Sequence, residues 1–374
     1  MRSRTPFVLS FCLLLGTAAS ERSSAVTARS LTLNFAGIPA RAELLLPDRP
    51  ARAPLVLLIQ GTGPEDMDGS FATFGGQVTN GSLGTLAHAL AGQGYAVMRF
   101  DKRYARESLS AEGAVAAYTA YGKLSMRDLL SDARTALNAA AAQPDVDASR
   151  VYVYGWSEGS VIAATLALEV GARGLIVQGP VANDYASVFA RQFGRVGVPY
   201  LSRYAQDGRL GLPGLLSSFG GNGSMLAKLQ GQLLFDRTST LEHPVLNTAI
   251  DVNHDGMIDL QAEALPAMAA YDRASVPQDP MYAPSTSLPT LDTLTSQLKL
   301  PVLILQGGND ANIDPADART FDTALTKAGN TDHTLKLYPG LGHSLGKAAD
   351  VTQDDFAPME KGPMNDMVNW LNTH

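Results

Sequence analysis

The sequence predicts an α/β protein: a mostly parallel, twisted sheet with helices on both faces and an inserted cap. Short, nearly continuous apolar runs alternate with helix-length patterns, as expected for parallel strands buried on both faces and joined by right-handed crossovers. The alternation then breaks between about Asn183 and Leu300 and resumes afterwards. With 374 residues and 45% hydrophobic content, the chain can build one large core carrying an insertion.

Taken in order, the first segment reads as a cleavable secretory signal over residues 1–19. Arg2 and Arg4 give a positive start, Phe7 to Leu15 an apolar run too short to span a bilayer, and Thr17-Ala18-Ala19 a small-residue cleavage site. An uncleaved anchor is the plain alternative. Cleavage would take the formal charge from −7 to −9 and remove Cys12, the only cysteine, so a secreted or periplasmic product would carry no disulfide. Leu31 to Ala36 and Ala40 to Leu46 alternate apolar and polar residues around Gly37, which predicts an antiparallel hairpin at a sheet edge.

Buried strands are then predicted over Leu55 to Gln60, Tyr95 to Phe100, Val151 to Tyr154, Gly174 to Gln178 and Val302 to Gln306, with helices over Ser82 to Ala91, Met126 to Ala142, Glu158 to Val170 and Ala316 to Ala328. The core is expected to comprise residues 20–183 and 300–374, and the Gly- and Pro-rich stretch 184–299 to form the cap. Acidic net charge without a basic run excludes a nucleic-acid partner. No stretch after the signal approaches spanning length, so integral membrane association is not expected once the signal is removed.

The strand Val151-Tyr-Val-Tyr ends in Gly155-Trp-Ser157-Glu-Gly159 and passes directly into a helical pattern. That context gives Gly-x-Ser-x-Gly its weight: a sharp strand-to-helix turn exposes a serine hydroxyl to a base, and the glycines allow close approach. The backbone N–H of Glu158 opens the helix, where the dipole favours a developing oxyanion. A carboxylate and then a histidine should follow the serine to complete a triad. Asp310 follows a strand through Gly307-Gly308-Asn309, and His343 sits in Tyr338-Pro-Gly-Leu-Gly-His343 beyond the strand-like His333 to Leu337. Asp314 and Asp317 are the rival acids, but Asp314 reads as a helix cap before Pro315 and Asp317 falls inside the helix. Thr62, in the loop Gln60-Gly-Thr-Gly-Pro64, is the candidate for the second oxyanion N–H; a plain Gly/Pro turn is the alternative.

At these residues the sequence resembles bacterial α/β-hydrolases, carboxylesterases among them, akin to serine aminopeptidases and dienelactone hydrolases. Gly61-Thr62-Gly63-Pro64 with Asp66 and Asp68 looks like the group's His-Gly-Ser-Gly-Pro-x-Asp-Arg-Asp loop, and Arg99-Phe100-Asp101-Lys102-Arg103 like its Arg-Tyr-Asp-Lys-Arg. Pro144-Asp145-Val146-Asp147, Arg150 and Gly155-Trp-Ser157-Glu158-Gly159 are similar to its approach to the nucleophile. Gln60 stands for the usual His, Met67 for Arg, Trp156 for His, and Tyr104-Ala105-Arg106 for a glycine-rich turn. The resemblance implies the α/β-hydrolase fold and ester hydrolysis without a catalytic cofactor.

Within the expected cap, Asp251-Val-Asn253-His-Asp255-Gly256-Met257-Ile-Asp259 matches the start of an EF-hand-type loop. Asp251, Asn253, Asp255, Asp259 and the Met257 carbonyl could hold a weak structural Ca²⁺, although Ala262 occupies the twelfth position and Glu263 falls one residue late. An Asx-rich turn without metal is the alternative. The sequence thus predicts a secreted serine hydrolase acting on a small-molecule ester or peptide-like substrate. A carboxylesterase leads; a peptidase or aminopeptidase, an acyltransferase or thioesterase, and a calcium-dependent binding protein are the alternatives.

Overall fold

The apolar runs pair into one eight-stranded sheet in the computed structural model, which describes residues 26–49, 51–72, 78–110 and 112–374. The expected signal segment lies outside the described residues. The strands are β1 (Val26–Phe35), β2 (Ile38–Pro47), β3 (Ala53–Ile59), β4 (Ala96–Phe100), β5 (Val146–Trp156), β6 (Gly174–Gln178), β7 (Val302–Gly307) and β8 (His333–Tyr338). Their order is β1-β2-β4-β3-β5-β6-β7-β8. The β1–β2 hairpin is antiparallel, β2 lies antiparallel to β4, and every later pairing is parallel, as the expected fold class requires.

The helices used below are α1 (Leu83–Gly92), α2 (Met126–Ala141), α3 (Glu158–Val170), α4 (Leu212–Gly220), α5 (Met225–Gln232), α6 (Leu265–Ser275), α7 (Pro315–Lys327) and α8 (Lys361–Leu371). Strand side chains alternate between faces, which explains why the central runs are apolar at every position. Leu55, Leu57 and Ile59 of β3 pack with α2, α3 and α7 on one face, while Val56 and Leu58 pack with α1 and α8 on the other. Ser125 starts α2 with a reciprocal capping box to Asp128.

β5 begins at Val146, earlier than its apolar run. Asp147 folds back there, accepting from Ser149 N at 3.1 Å and Arg150 Nε at 2.7 Å, and the register against β3 shifts between Pro54 and Leu55. Ala148 to Arg150 are exposed, so apolar patterning carries no trace of this stretch.

The insertion contributes its own apolar cluster, from Phe193 to Met268, tied together by a short antiparallel pair, Arg209–Gly211 with Met257–Asp259. Met281, Leu288, Leu291, Leu294 and Leu298 instead join the main core. The chain steps from β3 outward to β4 and returns on the other side to β5, so the crevice beyond the carboxyl ends of β3 and β5 is the switch point where open α/β sheets place ligands. Among the described residues no helix is long and apolar enough to cross a membrane.

Candidate active site

The turn from β5 into α3 puts Ser157 at φ 55°, ψ −122°, a conformation that side-chain-bearing residues rarely adopt. It is held by Ser157 N donating to Gln178 O at 2.8 Å and by the tight packing of its flanking glycines. A Cβ on Gly155 would lie 2.1 Å from Gly159 O, and one on Gly159 would lie 2.4 Å from Gln60 O. Only glycine fits either place.

Asp310 lies beyond β7 and is fully buried. Its Oδ1 accepts from Asn312 N and Ile313 N, both at 2.8 Å, and its Oδ2 from Gln306 Nε2 at 2.9 Å. His343 Nδ1 lies 2.9 Å from the same Oδ2, which leaves Nε2 as the nitrogen free for proton exchange. Burial pushes the His343 pKa down, but the charge and hydrogen bond of Asp310 outweigh it, and the net shift is upward from 6.5. The rival carboxylates are used elsewhere. Asp314 caps α7 through Ala316 N at 2.9 Å, and Asp317 pairs with Arg191 at 2.5 Å.

The β3 and β5 loops meet at Ser157: a Cβ on Gly61 would lie 3.5 Å from Ser157 Cβ. Trp156 anchors the histidine loop, its Nε1 donating to His343 O at 3.1 Å and its ring lying 5.4 Å from the imidazole. Gln178 Nε2 donates to the same carbonyl at 3.0 Å. Gly179, at φ 54°, leaves room for the imidazole; a Cβ there would approach His343 Cε1 to 2.9 Å.

Several residues around the site carry no signal in the sequence pattern. Asp354 Oδ2 accepts from both His343 N at 2.8 Å and Ala311 N at 2.9 Å, joining the loops that carry Asp310 and His343. Burial, and next the Asp310 charge, push its pKa up to about 6. Glu158 is fully buried, and its carboxylate accepts from Lys102 Nζ at 3.2 Å, Tyr121 OH at 3.3 Å and Tyr282 OH at 2.9 Å. Lys102 Nζ also donates to Gly61 O, whose peptide carries the Thr62 N–H, and Glu65 Oε2 accepts from Gly61 N at 3.0 Å. Thr62 itself is exposed, where a ligand can reach it. Lys102 lies within the motif shared with the resembled group, but the motif alone assigns it no contact. Gln60, standing where that group has histidine, is fully buried and donates through Nε2 to Asp66 O at 3.0 Å and to Phe100 O, so it serves as a brace for the loop.

The structure brings Asp251, Asn253 and Asp255 together in one turn. Asp251 accepts from Asp255 N at 3.2 Å and Gly256 N at 2.9 Å, Asn253 from Asp255 N at 2.9 Å, and Asp255 from Met257 N at 3.0 Å while pairing with Arg209. Asp259 caps the next segment through Gln261 N and Ala262 N at 2.9 and 2.7 Å. A π-turn over Leu260–Ala264 swings Glu263 over the loop, where it accepts from Val252 N at 3.0 Å, Asn253 N at 3.3 Å and Asp259 N at 2.8 Å. Among the described residues no group of three or more His, Cys, Asp or Glu is disposed to hold a metal ion.

The profile of the family described as serine aminopeptidase, S33 matches residues 74–251 and 281–347. Esterase EstD of Thermotoga maritima is 21% identical over 347 residues, covering 92% of this chain and 67% of that protein. Two solved structures share the fold. Hypothetical protein PA2218 of Pseudomonas aeruginosa has a TM-score of 0.50 at 15% identity, over 93% of this chain and 94% of its own. A structure assigned as a dipeptidyl aminopeptidase IV from Bacteroides ovatus has a TM-score of 0.51 at 14% identity; the match covers 94% of this chain, which spans about a third (36%) of that one.

Proposed function

The chain belongs to the serine aminopeptidase S33 family of the α/β-hydrolase superfamily, and from that premise we propose that it is a serine hydrolase that cleaves carboxylic esters. The observation that carries this reading is the buried 2.9 Å contact of His343 Nδ1 with Asp310, on loops packed against the strained turn at Ser157. Ser157 Oγ attacks the ester carbonyl while His343 Nε2 takes its proton. The tetrahedral oxyanion is received by the N–H groups of Thr62 and Glu158. His343 then protonates the leaving alcohol, and water repeats the sequence on the acyl-enzyme. Asp310 fixes the tautomer throughout and stabilises the imidazolium.

An aminopeptidase needs a carboxylate free to bind the substrate ammonium, and the nearby carboxylates are engaged. Glu158 is bound by Lys102 and two tyrosines, Asp68 pairs with Arg99, and Asp66 accepts from Asp68 N and Ser70 N at 3.0 and 2.8 Å. Burial pushes the Glu65 pKa up to about 8, so that group is largely neutral below that pH. Ester cleavage asks for no such partner.

A panel of p-nitrophenyl esters and aminoacyl anilides tests the substrate class, with ester turnover expected and preferential anilide turnover favouring a peptidase. Ser157→Ala should abolish both turnover and fluorophosphonate labelling while leaving the melting temperature nearly unchanged. Labelling that survives in this variant would remove Ser157 from the role.

A further inference from the structure

A cavity of about 1220 Å³ lies between the insertion and the core, larger than the ~300–1,000 Å³ usual for small-molecule sites. Its walls come from both parts of the molecule. α4 and α5 contribute Leu216, Phe219 and Leu229, α6 contributes Met268, and the core contributes Phe71 and Phe356. Phe356 connects the cavity to the chemistry: its ring stands edge-on to His343 at 5.9 Å, lies 6.1 Å from Trp156, and packs on Phe71 at 5.0 Å. Phe356 is therefore a wall shared by the cavity and the imidazole. Phe219 and Leu233 remain 36% and 38% exposed on the cavity's rim, beside the charged lining residues Lys228, Asp236 and Arg237.

We propose that this cavity receives the apolar acyl chain of the substrate, so that the enzyme acts on esters of medium- and long-chain acids in preference to acetyl esters. The proposal rests on the serine-hydrolase reading of Ser157. An acetyl group, two carbons long, would leave the cavity unfilled. A longer chain exchanges water for Phe71, Phe219, Leu229 and Met268, and each methylene buried contributes roughly fourfold to kcat/KM. A concave space that shares an aromatic wall with the imidazole fits a flexible chain attached to the reacting carbonyl. A flat protein partner would not fill it.

The test is kcat/KM across p-nitrophenyl esters from acetate to dodecanoate, on wild type, Phe219→Asp and Leu233→Asp, with melting curves to verify folding. Octanoate, six methylenes longer than acetate, is expected to exceed it on the order of 10³-fold. Both substitutions, at half-exposed positions, should cut the octanoate-to-acetate ratio at least about tenfold by placing a charge beside the chain. A flat or falling profile in wild type, or a ratio unmoved in both variants, overturns the proposal. Loss of all ester turnover in Ser157→Ala alongside a flat profile would sink the cavity assignment alone, whereas turnover retained in Ser157→Ala would sink the reading beneath it. Sedimentation that shows self-association abolished by Phe219→Asp, with a flat profile, would give the cavity to a second copy of the chain.

Discussion

Lys102 holds the two proposed oxyanion donors at once. In a trans peptide the C=O and N–H point in opposite directions, so an ammonium on Gly61 O fixes where Thr62 N–H points. The same ammonium binds Glu158, whose own N–H is the second donor. Lys102→Met should therefore lower kcat by about 10–10³-fold, the scale of losing an oxyanion donor, and leave KM nearly unchanged. Because this leaves Glu158 buried and unpaired, the double variant with Glu158→Gln separates positioning from destabilisation. A kcat that returns to wild type in the double variant, or an unchanged kcat with a lowered melting temperature in the single one, would make Lys102 purely structural. Such a role is invisible in the sequence, because it depends on β4 lying beside β3. The placement of Ser157, Asp310 and His343 in loops after strands was legible for the opposite reason: those strands could be read from their sequence patterns. Asp354 was not, since its partners are two backbone N–H groups contributed by different loops.

At the scale of elements, legibility followed burial. β6 and α3 coincide with their predicted limits: β6 is buried throughout and α3 is buried from Glu158 to Ala164. β5 was read short because Ala148 to Arg150 face solvent, where no periodicity marks them. In the insertion the helices are short and held by one another, so the sequence pattern located the interruption but not its internal core. The loop from Asp251 to Asp259 shows the same limit. Glu263 is one residue late in an ideal helix, and the π-turn over Leu260–Ala264 supplies the extra residue that brings it back over the loop. Calcium there stays a proposal, set against a turn whose carboxylates are already satisfied by backbone N–H groups and against the absence, among the described residues, of any group of three or more His, Cys, Asp or Glu disposed to hold a metal ion. Under the calcium reading, a chelator should lower the melting temperature and millimolar calcium restore it; the stabilisation grows with the excess over Kd, reaching about 2.7 kcal/mol at a hundredfold. Superimposable melting curves would make the loop a self-capped turn.

Over the whole molecule, the buried acids set an unusual dependence of stability on pH. Burial pushes Glu65 up to about 8, and burial likewise lifts Asp132 to about 6 against its Arg103 partner and Asp354 to about 6. A carboxyl whose folded pKa exceeds its unfolded one keeps its proton longer in the native state. Its contribution is complete below the unfolded pKa, near 4, and is lost as pH rises through the folded value. His343, also raised, acts in the same direction. Carboxylates shifted the other way, such as Asp147 at about 2, change their contribution only at lower pH. Stability should therefore fall from pH 5 to pH 8, with Glu65 responsible for the upper part of the decline. Glu65→Gln keeps an oxygen for Gly61 N–H and removes the titration. The variant should melt close to wild type at pH 5 and above it at pH 8, read by thermal scans at several pH values. Identical slopes for the two proteins would show that Lys102, 3.2 Å from Glu158 in the same buried cluster, already compensates the Glu65 charge.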